Sequence, residues 1–388
     1  MEAAFPVQVP LRSGLTLYML GQESTLFSRR SRQLYGLDCT ATVALLRLAE
    51  GEEPRVVSRY LGLEGGSVRV VSELADILAG NESSGDEYES ILPCPAAVPD
   101  HGAGLPLYRL LDTTFAVEGP CELLRQWITP FVAHLRLEGM RSGVNGRVDL
   151  LVGIEAACSG WIPRLNGAPQ AGAMPAERLL PLIYDRLRKF AYQSCAYLLT
   201  VHGAVVTRKG HTLILAGRSG SGKSTLAAAL LARGYTLISD EPAVIEPHSR
   251  GVLPVPFGLG LKEGSWPAAL RSFPGFDHLP VHIRFDGRRL RYLLPDGIEM
   301  AVDGAIRLAT HLIFPCFGRE LAGKIEPLSP VQALRTVAEA GYQVPGLDED
   351  RVARILQWLG SMYCYSLTYS STAEALGLLG EVAGIRGE

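Results

Sequence analysis

Gly217-Arg218-Ser219-Gly220-Ser221-Gly222-Lys223-Ser224-Thr225 decides how the rest of this chain is read. The stretch fits the phosphate-loop pattern G-x-x-x-x-G-K-[ST]. Its flanks fit as well. His211-Thr-Leu-Ile-Leu-Ala216 predicts a short buried strand, and Leu226 to Arg233 predicts a helix with Leu226, Leu230 and Leu231 on one side. Gly217, Gly220 and Gly222 allow a tight turn that points backbone N–H groups inward. The helix start adds orphan donors and a partial positive charge. Lys223 is then placed for the outer phosphates of ATP, and the Ser224 hydroxyl for Mg²⁺. The expected nucleotide-binding set is Gly217, Ser219, Gly220, Ser221, Gly222, Lys223, Ser224 and Thr225.

Gly234 closes the helix, and Tyr235-Thr-Leu-Ile-Ser239 reads as the next strand, ending in Asp240-Glu241. Two carboxylates beside a phosphate loop suit a metal ligand plus a base. A helix cap or a solvated strand end would read the same way from sequence alone.

The series His202-Gly-Ala-Val-Val, Gly217 to Thr225, then Leu237-Ile-Ser-Asp-Glu241 resembles the HPr serine kinase family and its HPr-kinase-related members. That core is similar to the ATP-dependent phosphoenolpyruvate carboxykinases. The resemblance covers roughly residues 105 to 340 and is sharpest over 200 to 265. It implies an α/β phosphate-loop core that transfers a phosphoryl group from ATP with Mg²⁺. It assigns the base to Asp240 and puts Glu241 in the second acidic position, so that Ser224 and Glu241 would hold the metal. It also implies that His202 lies near the phosphates and the acidic pair as an auxiliary residue. A proline-rich segment ending in lysine is common in related kinases at this point, and Pro254-Val-Pro-Phe-Gly-Leu-Gly-Leu-Lys262 matches it. Lys262 is thereby a candidate for the transferred phosphate, with a solvated strand-end lysine as the other reading. Arg319 is a weaker nucleotide candidate on the same resemblance. Two departures count against HPr as the acceptor. HPr kinases usually carry aspartate where this chain has Glu241, and a clear copy of their downstream glycine-rich signature is missing.

The chain has 388 residues, 47% hydrophobic and 20% charged, with a formal net charge of -3. That composition predicts two or three globular domains and no basic field for bulk nucleic-acid binding. No secretory signal or membrane-length apolar run is evident, so a cytoplasmic location is the default expectation. The seven cysteines are scattered, without a Cys-x-x-Cys pair, which argues against a disulfide framework or structural zinc.

Residues 1–80 read as a separate unit. Leu15-Thr-Leu-Tyr-Met-Leu and Ser24-Thr-Leu-Phe alternate as short strands. Three short helices follow, the first capped by Asp38 or Thr40 with Val43, Leu46 and Ala49 sharing a face. This order is similar to the PqqD-like fold, a winged-helix-like domain that receives a leader peptide along a strand edge. A helical appendage covering the core is the alternative. Residues 81–105, polar and rich in proline and glycine, read as a linker. Residues 106–345 form the expected catalytic domain, with 346–388 as terminal helices and a strand packed on it. Pro175 to Leu199 is the longest amphipathic helix pattern, with a stripe of Leu179, Leu182, Ile183, Leu187 and Phe190. Glu263-Gly-Ser-Trp-Pro reads as a loop over the site. Asp286-Gly287 marks a hairpin whose arginines, Arg284, Arg288, Arg289 and Arg291, read as a solvated face.

These readings converge on a kinase that phosphorylates a hydroxyl of a ribosomally made precursor peptide, recruited through residues 1–80. It resembles the lasso-peptide precursor kinases. A small-molecule kinase acting on a free serine-like hydroxyl and a non-catalytic nucleotide sensor are the alternatives. A homo-oligomer is compatible with all three.

Overall fold

The computed structural model describes residues 6–20, 23–63, 66–81, 104–143, 146–294 and 305–382. The expected linker falls almost wholly outside the described residues, as does Cys94. The chain is a mixed α/β fold. Its centre is a six-stranded sheet in the order Thr236–Asp240, Gly203–Arg208, His211–Ala216, His311–Phe317, Tyr363–Tyr369, Lys324–Pro327. His211–Ala216 runs parallel to His311–Phe317, which runs parallel to Tyr363–Tyr369. Gly203–Arg208 runs antiparallel to both of its neighbours. One sheet edge therefore collects the ends of four strands at Ala216, Asp240, Phe317 and Tyr369, with His202 just before Gly203. Ligands of open α/β sheets gather at such carboxyl ends.

Alternation of apolar side chains gives this sheet two buried faces. Ala204, Val206, Leu213 and Leu215 pack under the Lys223–Leu231 helix with Leu226, Ala227 and Leu230. Val205, Ile214, Ala216 and Leu312 face the Pro330–Ala340 and Glu349–Gly360 helices through Leu334, Val337, Ile355 and Trp358. Those two helices begin at caps visible in the sequence. Ser329 and Gln332 form a capping box, and the Asp348 side chain accepts from the Arg351 N–H. Tyr363–Tyr369, from the C-terminal segment, is an internal strand of the sheet.

A second six-stranded sheet, built from strands between Pro106 and Pro169, packs on the Leu179–Ser194 helix. That helix is shorter than the pattern predicts. Leu199–Val201 is a strand paired with Ala243–Ile245. The buried stripe also includes Leu180 and Tyr184, while Leu182 and Phe190 are only half-buried. A three-stranded sheet of Leu259–Lys262, Arg289–Leu293 and His282–Ile283 carries the expected hairpin. Beyond Lys262 the chain is not a loop. It makes a 3-10 turn and then the Trp266–Ser272 helix, with Pro267 in its first turn, where proline is tolerated.

The N-terminal segment has four antiparallel strands, Val7–Pro10, Leu15–Leu20, Glu23–Ser28 and Gln33–Leu37, rather than the two read from sequence. Helices Cys39–Ala49, Pro54–Tyr60 and Gly66–Leu78 cover one face of that sheet. Asp38 caps the first helix, which buries Ala44, Leu45 and Leu48 instead of Val43, Leu46 and Ala49. The opposite sheet face docks on the core. Tyr18 and Phe27 are buried among Leu334, Val337 and Ile355. Glu349 accepts from Arg29 at 2.5 Å and from Thr16, and the Tyr18 hydroxyl donates to the Glu349 carbonyl at 2.9 Å. Among the described residues, no helix is long and apolar enough to cross a membrane.

Candidate functional site

The loop after Ala216 turns through residues that only glycine occupies readily. Gly220 has φ +91 with nothing near its missing Cβ, and Gly222 has φ +99. A Cβ on Gly222 would overlap the Tyr369 hydroxyl, which donates to the Gly222 carbonyl at 3.3 Å. Tyr369 thus supports the loop from the sheet below. Gly222 is also the N-cap of the Lys223–Leu231 helix, so the loop opens directly onto a helix N-terminus.

Lys223 is 4% exposed and lies inside the loop. Its Nζ donates to the carbonyls of Gly217 at 2.7 Å and Arg218 at 3.1 Å and sits 3.9 Å from Glu241 Oε1. Burial lowers its pKa, with Glu241 opposing the shift. At the crown of the loop the Ser219 hydroxyl accepts from Lys262 Nζ at 2.9 Å and from Arg288 Nη1 at 3.2 Å. The hairpin arginines are therefore not one solvated face. Arg288 reaches the loop, and Arg291 stacks over Trp266 at 4.5 Å. Thr225 is turned away from the acidic pair and shares a 2.7 Å hydrogen bond with Ser265. The Ser221 hydroxyl is buried without a partner.

Asp240 ends the edge strand beside this loop and Glu241 follows it, and their environments differ. Asp240 Oδ2 accepts the Gly260 N–H at 2.7 Å, while its Oδ1 is buried with no partner. Burial, reinforced by the neighbouring Glu241 charge, pushes its pKa up to about 7. Burial alone would also raise Glu241. The ring of His202 and the cations Lys223, Lys262 and Arg188 more than offset it, so Glu241 is held below the ordinary carboxylate range. His202 Nε2 lies 3.2 Å from Glu241 Oε1. Burial lowers the His202 pKa, with the Glu241 charge opposing the shift. Glu241 itself sits at φ +43, a costly conformation for a non-glycine residue and one that clusters at functional sites.

Ser224, Asp240, Glu241 and Lys262 line one cleft. The lining also includes Tyr184 and Arg188 from the Leu179–Ser194 helix and Arg284 and Phe285 from the hairpin. His202 and Lys223 join the group through Glu241 rather than through the cleft wall. Arg319 is exposed on the segment after Phe317.

Arg188 was not anticipated from the sequence. Its Nη1 donates to the Glu241 carbonyl, and its charge favours the ionised form of both carboxylates. The available signal was a cation one position after Leu187 and four after Tyr184, on the apolar side of an amphipathic helix. Gly260, which supplies the N–H to Asp240, was also missed. Its signal was the Gly258-Leu-Gly260 pair inside a strand pattern, which marks close backbone approach.

The residues present fit a nucleotide and a divalent ion. The loop offers a glycine-built cradle over a helix N-terminus, Asp240 in the cleft lining carries a buried carboxylate oxygen without a partner, and Ser224 with Glu241 supplies hard oxygen donors. Among the described residues, no group of three or more His, Cys, Asp or Glu side chains forms a metal cage. Mg²⁺ beside a nucleotide does not require one, since water and phosphate oxygens complete its shell.

No protein-family model matches the chain. Partial likenesses to known proteins all point one way. The chain is 27% identical over 122 residues to the HPr kinase/phosphorylase of a Geobacillus species, covering 31% of this chain and 38% of that protein. It is 36% identical over 88 residues to the HPr kinase/phosphorylase of Nitrosomonas europaea, covering 23% and 24%. It is 36% identical over 74 residues to that of Bordetella pertussis, covering 17% and 24%. The chain thus spans between 24% and 38% of the length of these curated relatives. The matches show a distant superfamily link.

Proposed function

We propose that this chain is an ATP- and Mg²⁺-dependent phosphotransferase with an HPr-kinase-like phosphate-loop core, acting on a hydroxyl of a ribosomally made precursor peptide. The observation that carries the reading is Asp240. It is a buried carboxyl with one free oxygen, a pKa near 7, and a place in the same cleft as Ser224 and Lys262. A general base works best when its pKa lies near the working pH. Glu241, 3.9 Å from Lys223 Nζ and held ionised, suits the metal instead. Pairs of acids whose environments push their pKa values apart divide the roles in this way.

In this reading the loop from Gly217 to Thr225 grips the phosphates, and Ser224 with Glu241 holds the ion. The bound nucleotide and Mg²⁺ supply an activated phosphoryl group. Lys223 exchanges its bonds to the Gly217 and Arg218 carbonyls for phosphate oxygens. Lys262 approaches from the strand across the loop, already within 2.9 Å of Ser219. Asp240 Oδ1 orients the acceptor hydroxyl and takes its proton, with the Gly260 N–H holding the opposite oxygen in place. His202 holds Glu241 through Nε2.

Residues 1–80 are proposed as a PqqD-like peptide-recognition unit, 106–345 as the catalytic unit, and 346–388 as a segment completing its sheet. The docked face of the N-terminal sheet leaves Val7–Pro10 as the strand farthest from the core helices, and Val7 is 62% exposed there. An extended leader could pair with that edge. The burial of Tyr18 and Phe27 against the core also favours a second role, in which this unit caps the two core helices. The two roles are compatible. Incubation with ATP, Mg²⁺ and candidate precursor peptides, read by intact mass, tests the reading. Asp240→Asn should bind ATP yet leave the peptides unmodified. Wild-type turnover by that variant would exclude the proposed base.

A further inference from the structure

The hairpin turn Arg284-Phe285-Asp286-Gly287 presents Phe285 with 84% of its surface exposed, more than any other large apolar side chain among the described residues. The turn has no need of it. Its conformation is fixed by polar contacts. The Gly287 N–H donates to the Arg284 carbonyl at 3.0 Å, and the Arg284 N–H donates to the Arg288 carbonyl at 3.0 Å. Asp286 Oδ1 accepts the Arg288 N–H at 3.1 Å, and Gly287 has φ +80. Glycine and aspartate are the residues such turns call for, and a polar residue would serve equally at position 285. A phenylalanine held open to water on a rigid turn costs solubility and contributes nothing to the core, so its use lies outside the fold.

Its position says what that use is. Phe285 and Arg284 line the cleft that contains Asp240. The turn carries a basic excess. Asp286 lies 3.7 Å from Arg284 Nε and 3.6 Å from Arg288 Nε, so one carboxylate serves two guanidinium groups. Arg288 is further directed to Ser219, which leaves Arg284 as the cation beside Phe285, its guanidinium carbon 5.5 Å from the ring centre. A free hydroxy compound small enough to enter the cleft would satisfy Asp240 without covering Phe285. An extended peptide whose acceptor hydroxyl sits at Asp240 places its neighbouring side chains across the mouth.

Resting on the phosphotransfer reading above, we propose that Arg284 and Phe285 select the acceptor: a peptide segment with an apolar side chain and an acidic group flanking the hydroxyl to be phosphorylated. Phe285 takes the apolar neighbour and Arg284 the acidic one. The hairpin is then a specificity element, and the substrate class is a peptide rather than a free amino acid.

The test uses the full chain and a short fluorescein-labelled peptide with serine flanked by leucine and glutamate. Comparison peptides replace the leucine by alanine, the glutamate by lysine, or both. Fluorescence anisotropy gives the affinities for wild type, Phe285→Ala, Phe285→Leu and Arg284→Gln. Calorimetry with a non-hydrolysable ATP analogue on the same samples reports whether the loop and fold are intact. Wild type should prefer the leucine–glutamate peptide. Phe285→Ala should bind it about tenfold or more weakly, the scale set by losing one large apolar contact. Phe285→Leu should keep most of the affinity, and Arg284→Gln should lose the preference for glutamate over lysine. Equal binding of the four peptides by wild type, no measurable binding, or wild-type affinity in Phe285→Ala would overturn the proposal. Analogue binding without peptide preference removes this inference alone. Peptide preference without analogue binding removes the phosphotransfer reading instead.

Discussion

Replacing Asp240 by asparagine should stabilise the protein while abolishing its chemistry, and the gain should grow with pH. The carboxyl is pushed from an ordinary value of 3.8 up to about 7, chiefly by burial. A raised carboxyl pKa means the folded state holds the proton more tightly than the unfolded chain. Its contribution to stability is therefore fully present below about pH 4 and is lost as the pH rises through 7. At about 1.4 kcal/mol per pKa unit, ionising Asp240 in the folded protein at pH 8 costs about 4 kcal/mol at most. At pH 5 the same linkage amounts to less than half of that, because the folded carboxyl still holds its proton. Asparagine removes the cost and still accepts the Gly260 N–H. The stability difference between variant and wild type should thus widen by about 2–3 kcal/mol between pH 5 and pH 8. Urea unfolding followed by tryptophan fluorescence at several pH values measures it directly. Turnover, assayed in parallel, should fall by roughly a factor of 10² to 10⁴. A difference independent of pH, or one that shrinks toward alkaline pH, would refute the placement of this carboxyl as a buried acid with a raised pKa.

Three other outcomes follow from the geometry. Lys223→Ala removes the cation inside the loop and should weaken binding of an ATP analogue with Mg²⁺ by about tenfold to a hundredfold in calorimetry, the range of one or two charge-assisted hydrogen bonds; equal affinity in a folded variant would remove the loop from the nucleotide site. Gly222→Ala places a Cβ onto the Tyr369 hydroxyl at φ +99 and should depress analogue binding. Adding Tyr369→Phe should recover part of the loss by removing the overlapping oxygen, and no recovery in the double variant would mean that backbone strain alone dominates. Phe27→Ala empties a fully buried site between the N-terminal sheet and the core helices and should cost about 3–5 kcal/mol, read by urea unfolding; an unchanged midpoint would mean that the docked face contributes little.

The loop and its carboxylates were legible in the sequence because their signals are local. Glycine spacing, a lysine, a flanking strand and a flanking helix all fall within thirty residues of one another. The Asp38 cap was legible for the same reason. What tertiary packing decides was not. The Cys39–Ala49 helix has two apolar sets with compatible spacing, and only the sheet beneath it chooses Ala44, Leu45 and Leu48 over Val43, Leu46 and Ala49. The helical pattern read from Pro175 to Leu199 stops at Ser194 in the structure, and pairing with Ala243–Ile245 draws Leu199 into a strand. Arg188 acts on Glu241 across 53 positions of chain, which no local pattern encodes. The roles of Arg284, Arg288 and Arg291 diverge because each hairpin position meets a different neighbour: the cleft, Ser219 and Trp266.

The most direct measurement is a paired one on wild type and Asp240→Asn, each incubated with Mg²⁺, γ-labelled ATP and a leader-bearing precursor peptide. Intact mass and label transfer report the product, and calorimetry with an ATP analogue reports binding. The expected result is one labelled phosphoryl group on a peptide hydroxyl with wild type, none with Asp240→Asn, and similar analogue affinity for both. Label transfer at equal rates by the two proteins would contradict the proposed base. Tight analogue binding by both proteins, with no label on any peptide hydroxyl, would contradict peptide phosphotransfer itself.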